Sequence, residues 1–220
     1  MQKLLDTFVN ANGVNELTKL VNIFESEFDD EVERVTGKSA KADTILNAIN
    51  AVVVEKMDSN PAFYKKISKQ IQDIIEEYGA KRLSEEEKLA KAQKLKDIIT
   101  GALKPNDDKY PNEFIESGNK KILCNFYDNL SELLEKSLDK LETAEFEEVI
   151  RNLAFKFSDI YANATKKPEW HKNSDVEKDI ASKMQDCLWK VEDDYLGSKY
   201  IENKKEIYQV IRKIGINFYA

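Results

Sequence analysis

The sequence predicts an all-α fold, and three observations carry that expectation. Seven glycines and four prolines in 220 residues are too few turn-formers for a many-stranded sheet protein. Apolar side chains recur at intervals of three and four through most of the chain, which is the period of an amphipathic helix. Helix-start signals stand directly before several of those runs: Asn60-Pro61, Ser84 with Glu87, and Ser174 with Glu177. With 41% apolar residues the chain can bury a sizeable core, as a multi-helix bundle of about eight helices in one domain or in two packed lobes.

Taken in order, residues 1–10 and 14–28 read as two short helices parted near Asn12-Gly13, and the acidic DDEVERVTGK that follows reads as linker or helix end. Over 39–58, Ala42, Ile45, Leu46, Ile49, Val52, Val53 and Met57 form a nearly continuous apolar side, so this helix is expected near the centre of the fold. Its three consecutive valines would suit a strand, but the surrounding period and length favour helix. In NPAFYKKISKQIQDIIEEY, 60–78, Asn60 can accept from the free first-turn amides and Pro61 loses no hydrogen bond there. Phe63, Ile67, Ile71, Ile74, Ile75 and Tyr78 share one face, and Gly79 stands where a left-handed C-cap would end the helix.

Ser84 and Glu87 form a capping box for a helix running to about Leu103, after which GALKPNDDKYPN, with Gly101, Pro105 and Pro111, reads as a loop. That loop is the best internal boundary. It divides the chain into N-terminal helices and an acidic connector (1–37), a first lobe (38–104), the loop (105–116) and a second lobe (117–220), with 38–220 together one helical domain. Longer helices are expected over 117–141, 144–164, 174–196 and 203–219. In the third, Val176, Ile180, Met184, Leu188, Val191 and Tyr195 face inward.

Chemistry is sparse. The single histidine, His171, sits in a loop beside Trp170 and excludes any mechanism needing two. No Gly-rich phosphate loop, dinucleotide fingerprint or nucleophile elbow occurs. Two Glu-x-Lys triplets, at 86–88 and 202–204, lie at helix starts without the strand that a metal-dependent nuclease site requires. Cys124 and Cys187 fall on separate helix-periodic segments and read as buried free thiols. No catalytic, cofactor-binding or metal residue is assigned. The net charge of −7 argues against coating nucleic acid by bulk electrostatics. The lysine-rich segment 81–96 reads first as a capped, solvated helix, with DNA contact through Lys88, Lys91 and Lys94 as the alternative. No apolar run approaches a membrane span and MQKLLDTFVN lacks a signal pattern, so a soluble cytoplasmic protein is expected.

Beyond these patterns, KADTILNAINAVVVEKMDSNPAFYKKISKQIQDIIEEY (41–78), LSEEEKL (83–89), NFYDNL (125–130) and EWHKNSDVEKDIASKMQDCLWKVEDDYL (169–196), with the final KIGINFYA, resemble the helical C-terminal region of the restriction (motor) subunit of type I restriction-modification enzymes. The resemblance runs from about Lys38 to the C-terminus, and its motifs are structural. It implies a C-terminal fragment whose parent carries nuclease and ATPase domains using ATP and Mg²⁺ upstream, with no cofactor in this region. It further implies a docking role toward the methyltransferase and specificity subunits, with DNA met through the holoenzyme. Such a role needs exposed aromatics, and Trp170, Trp189, Tyr195, Tyr200 and Tyr219 cluster in the last third, with core packing the plain alternative for most. Trp170, off any apolar stripe, is the best interface candidate, followed by Trp189 and Tyr195. A free-standing all-α scaffold or regulator binding a partner helix is the rival reading.

Overall fold

The computed structural model describes residues 22–101, 110–197 and 199–220; the helix expected over 1–10, the start of that over 14–28 and the turn at Pro105 lie outside them. Among the described residues there are nine α-helices and no strand: α1 Glu27–Arg34, α2 Lys38–Lys56, α3 Pro61–Gly79, α4 Glu85–Thr100, α5 Asn112–Glu116, α6 Lys120–Leu134, α7 Thr143–Ala164, α8 Ser174–Val191 and α9 Lys204–Tyr219. The fold is all-α. None of these helices is long and apolar enough to cross a membrane.

Two compact units divide the described chain, one of residues 22–49 and 74–101, the other of 50–73, 110–197 and 199–220. The division runs through α2 and α3. Each of these helices has 19 residues.

The first unit buries Ile23, Phe28, Val32, Ala42, Ile45, Leu46, Ile49, Ile74, Ala92 and Leu95. The acidic DDEVER stretch is the body of α1 rather than a linker, since Phe28 and Val32, one turn apart, give it an inward face. At the end of α3 the left-handed residue is Lys81, φ 56°, and not Gly79, which is still helical. The Arg82 N–H donates to the Glu77 carbonyl and the Lys81 N–H to that of Tyr78, at 2.8 and 3.0 Å, so a Schellman closure forms two residues later than a glycine stop would place it. The Ser84–Glu87 capping box is present as expected, and Gly101, φ 77°, ends α4.

In the second unit α6 packs on α7 and α9, and α7 on α8. Its core is aromatic as well as aliphatic: Phe114, Phe126, Phe157 and Tyr161 are fully buried with Ile122, Leu130, Ile150, Ile207 and Ile211. Phe114 comes from α5, a short helix inside the expected loop, and meets Phe155 and Tyr127 edge-on. Gly215 lets α9 approach α7, since a Cβ at this position would lie 2.5 Å from the Tyr161 ring. Expected helix ends shift in two places. Helix α6 stops at Leu134 although Leu138, in the following turn, is still buried. Helix α8 is capped by Asn173, whose side chain accepts from the Asp175 and Val176 amides, in place of a Ser174–Glu177 box.

Candidate functional site

Three asparagines join the start of α3 to α6. Pro61 removes the first amide of α3, and the next two are capped from different places in the sequence. Asn60 Oδ1 accepts the Phe63 N–H at 3.2 Å, and Asn129 Oδ1 accepts the Ala62 N–H at 2.9 Å. The Asn129 amide donates to Asn60 Oδ1 and to the Asn125 carbonyl, each at 2.8 Å. Asn60 in turn donates to Asn125 Oδ1 at 3.0 Å, and Asn125 to the Ser59 carbonyl at 3.1 Å. Asn60 and Asn129 are buried, so these bonds satisfy polar groups that would otherwise be costly to desolvate. N-P-A-F-Y and N-F-Y-D-N-L, far apart in sequence, thus meet in one network.

A cleft of about 860 Å³ opens over it, within the usual size range of small-molecule sites. Tyr64 and Tyr110 supply aromatic surface, Asn60 and Asn125 amides, and Lys56, Lys120 and Lys121 positive charge. Asp128 also lines it, buried and accepting the Tyr110 hydroxyl at 2.9 Å. Burial pushes the Tyr64 phenol up from its ordinary value, so its hydroxyl stays protonated at neutral pH.

The residues singled out from sequence distribute differently. Trp170 is a correction: it is 6% exposed and packs edge-on against Tyr161, with ring centroids 5.9 Å apart. Glu169 adopts a left-handed conformation, φ 47°, and the short 3-10 turn Trp170–Lys172 carries the indole into the core. A loop residue off the helical stripe need not face water. Trp189 and Tyr200 are exposed, at 48% and 68%. Tyr195 does not continue the inward stripe of α8. The chain widens into a π-turn, Glu192–Leu196, directly after buried Val191, and the altered period leaves Tyr195 39% exposed. Tyr219 is half-buried, with its ring nearly parallel to that of Tyr161 and its hydroxyl 3.2 Å from Ser158 Oγ.

Of the three lysines, Lys91 and Lys94 are exposed and Lys88 is not. Lys88 is 4% exposed, its ammonium 2.7 Å from Asp43, 3.0 Å from Ser39 Oγ and 4.2 Å from the centre of the Tyr78 ring. Lys91 pairs with Glu77, leaving Lys94 as the exposed member of the three without an ion pair among the described residues. An ammonium enclosed by a carboxylate and an aromatic face is not presented to a phosphate backbone.

Both cysteines are free and half-buried, and burial raises the Cys187 thiol, which favours its inert protonated form. His171 is half-buried, with its Nδ1 enclosed and unbonded among the described residues.

The asparagine trio was not anticipated as a unit. A signal for it exists: Asn125 and Asn129 lie one helical turn apart, among the buried positions Ile122, Phe126 and Leu130, where an unpartnered amide would be costly. Compared with known proteins, the chain matches no family model, no curated protein and no solved structure.

Proposed function

We propose that this chain is the C-terminal helical assembly region of a type I restriction motor subunit, docking that subunit to its methyltransferase–specificity core and itself carrying no catalytic centre. The observation that carries the reading is the aromatic surface near the end of the sequence. Trp189, Tyr195 and Tyr200 are three of the six large apolar side chains left exposed among the described residues, and they fall within one stretch that overlaps the densest part of the family resemblance. Aromatics of this kind are the usual anchors of protein interfaces, because they bury much area at little entropic cost. The meeting of N-P-A-F-Y with N-F-Y-D-N-L supports the resemblance further: both segments have a structural reason to keep their asparagines.

Gel filtration of the chain with the cognate methyltransferase–specificity complex tests the reading. Co-elution is expected, weakened by Trp189→Ala combined with Tyr200→Ala and unaffected by Lys94→Ala. A chain that elutes alone at concentrations well above micromolar, while remaining folded, contradicts the docking role and favours a free-standing scaffold.

A further inference from the structure

We propose that the cleft over the asparagine network binds a small organic anion bearing a flat ring, of the nucleoside-phosphate class, a role separate from docking through Trp189 and Tyr200. Three features of the cleft converge on that chemistry. Its volume of about 860 Å³ holds a ligand of nucleotide size but not a folded partner. The walls carry Phe63, Tyr64 and Tyr110, faces on which a heterocycle can stack.

The lining also carries three lysines. Lys120 and Lys121 open α6, whose first turn contains no acidic residue, and Lys56 faces the same space. Glu55 and Asp128 line the cleft as well, and Asp128 accepts the Tyr110 hydroxyl. A phosphate beside the start of α6 meets the exposed Lys121 and the positive end of the helix dipole. The amide of Asn125 spends one N–H on Ser59, leaving the other to read the edge of a ring. Because Asn60 donates to Asn125 Oδ1 at 3.0 Å while Asn125 donates to the Ser59 carbonyl at 3.1 Å, that side-chain amide is held in place before any ligand arrives.

Titrating the isotopically labelled full chain with AMP, and separately with adenosine and inorganic phosphate, tests this by amide chemical shifts. AMP is expected to move the resonances of Ser59–Tyr64 and Lys120–Asn125 with a Kd of roughly 1 mM or below, each half-ligand binding at least ~10-fold more weakly. Lys121→Glu, at an exposed position, should weaken AMP by ~10-fold or more while the Ala62 and Asn129 resonances keep their positions. Phosphate binding as tightly as AMP would reduce the cleft to an unspecific anion site and overturn the proposal. Shifts that map away from the cleft, no shifts at all, or AMP binding indifferent to Lys121→Glu would overturn it equally.

Discussion

The two units draw on the same forces in different proportions. In the first, five lysines reach acids elsewhere in the same unit: Lys38 to Glu86, Lys41 to Glu33, Lys88 to Asp43, Lys91 to Glu77 and Lys96 to Asp29. In the second, pairs such as Arg212–Glu177 and Lys213–Asp58 also join separate elements, but the aromatic and aliphatic core is larger and is supplemented by buried amides and by Glu192, which accepts from the Ile201 amide and pairs with Lys204 at 2.7 Å. Exposed ion pairs contribute up to about 1 kcal/mol each and fade with salt, whereas buried contacts do not. The first unit, with the smaller core, leans more on such pairs, though Lys88 is itself buried, and the second leans more on shape.

The largest expected effect is steric and confined to the second unit. Gly215→Ala places a methyl against the buried Tyr161 ring, whose hydroxyl burial keeps well above the ordinary phenol range, and should cost about 3 kcal/mol by overpacking. A urea midpoint followed by tryptophan fluorescence measures it, since Trp170 and Trp189 both belong to that unit. A midpoint equal to wild type would mean that α9 can shift away at no cost.

Asn129→Ala comes next. It leaves the Ala62 N–H and Asn60 Oδ1 short of partners and should cost about 2 kcal/mol, with loss of hydrogen-exchange protection at Ala62 as its local signature. Retained protection would show that Asn60 alone caps α3.

Raising salt to roughly 1 M should loosen the first unit more than the second, so that far-UV circular dichroism loses helix at lower urea than tryptophan fluorescence changes. Coincident curves would instead mark the chain as one cooperative unit and dissolve the contrast. The smallest effect is acidic. The hydrogen bond from Lys38 holds the Glu86 carboxyl below its ordinary 4.5, and the Ser84 amide does the same for Glu87. A carboxyl depressed by folding stabilises the fold above its unfolded pKa and loses that contribution as pH falls through its folded value. The first unit should therefore weaken below pH 4.5, and Glu87→Gln should flatten that slope in a pH series of melts.

Fold class and most helix cores were legible from sequence because buried stripes obey a fixed period: Ile45, Ile49, Ile67, Ile71, Ile150 and Ile180 all lie inward. The valines of α2 follow the helical period despite their strand preference, with Val52 and Val53 buried and Val54 exposed. Legibility ended where the period breaks. A 3-10 turn took Trp170 inward, a π-turn brought Tyr195 outward, and Lys81 assumed the role reserved for Gly79. Lys88 was misread for a related reason. Periodicity places a Cβ on a helix face but does not say whether a long side chain extends into solvent or folds back onto Asp43 and Tyr78.

The asparagine network also sets an order of events. The first turn of α3 takes its second cap from Asn129, 67 residues beyond Ala62, so this local element is completed only after a long loop has closed. A nascent chain that ends before Lys120 lacks that cap, and its α3 should begin frayed and settle only when α6 docks. Native contacts of such wide separation slow folding, so Asn129→Ala should lower stability mainly by speeding unfolding if docking is late, and by slowing refolding if it belongs to the nucleus. Stopped-flow rates of wild type and Asn129→Ala separate the two, and unchanged rates in both directions would remove the network from the folding barrier and from the stability of the native state alike.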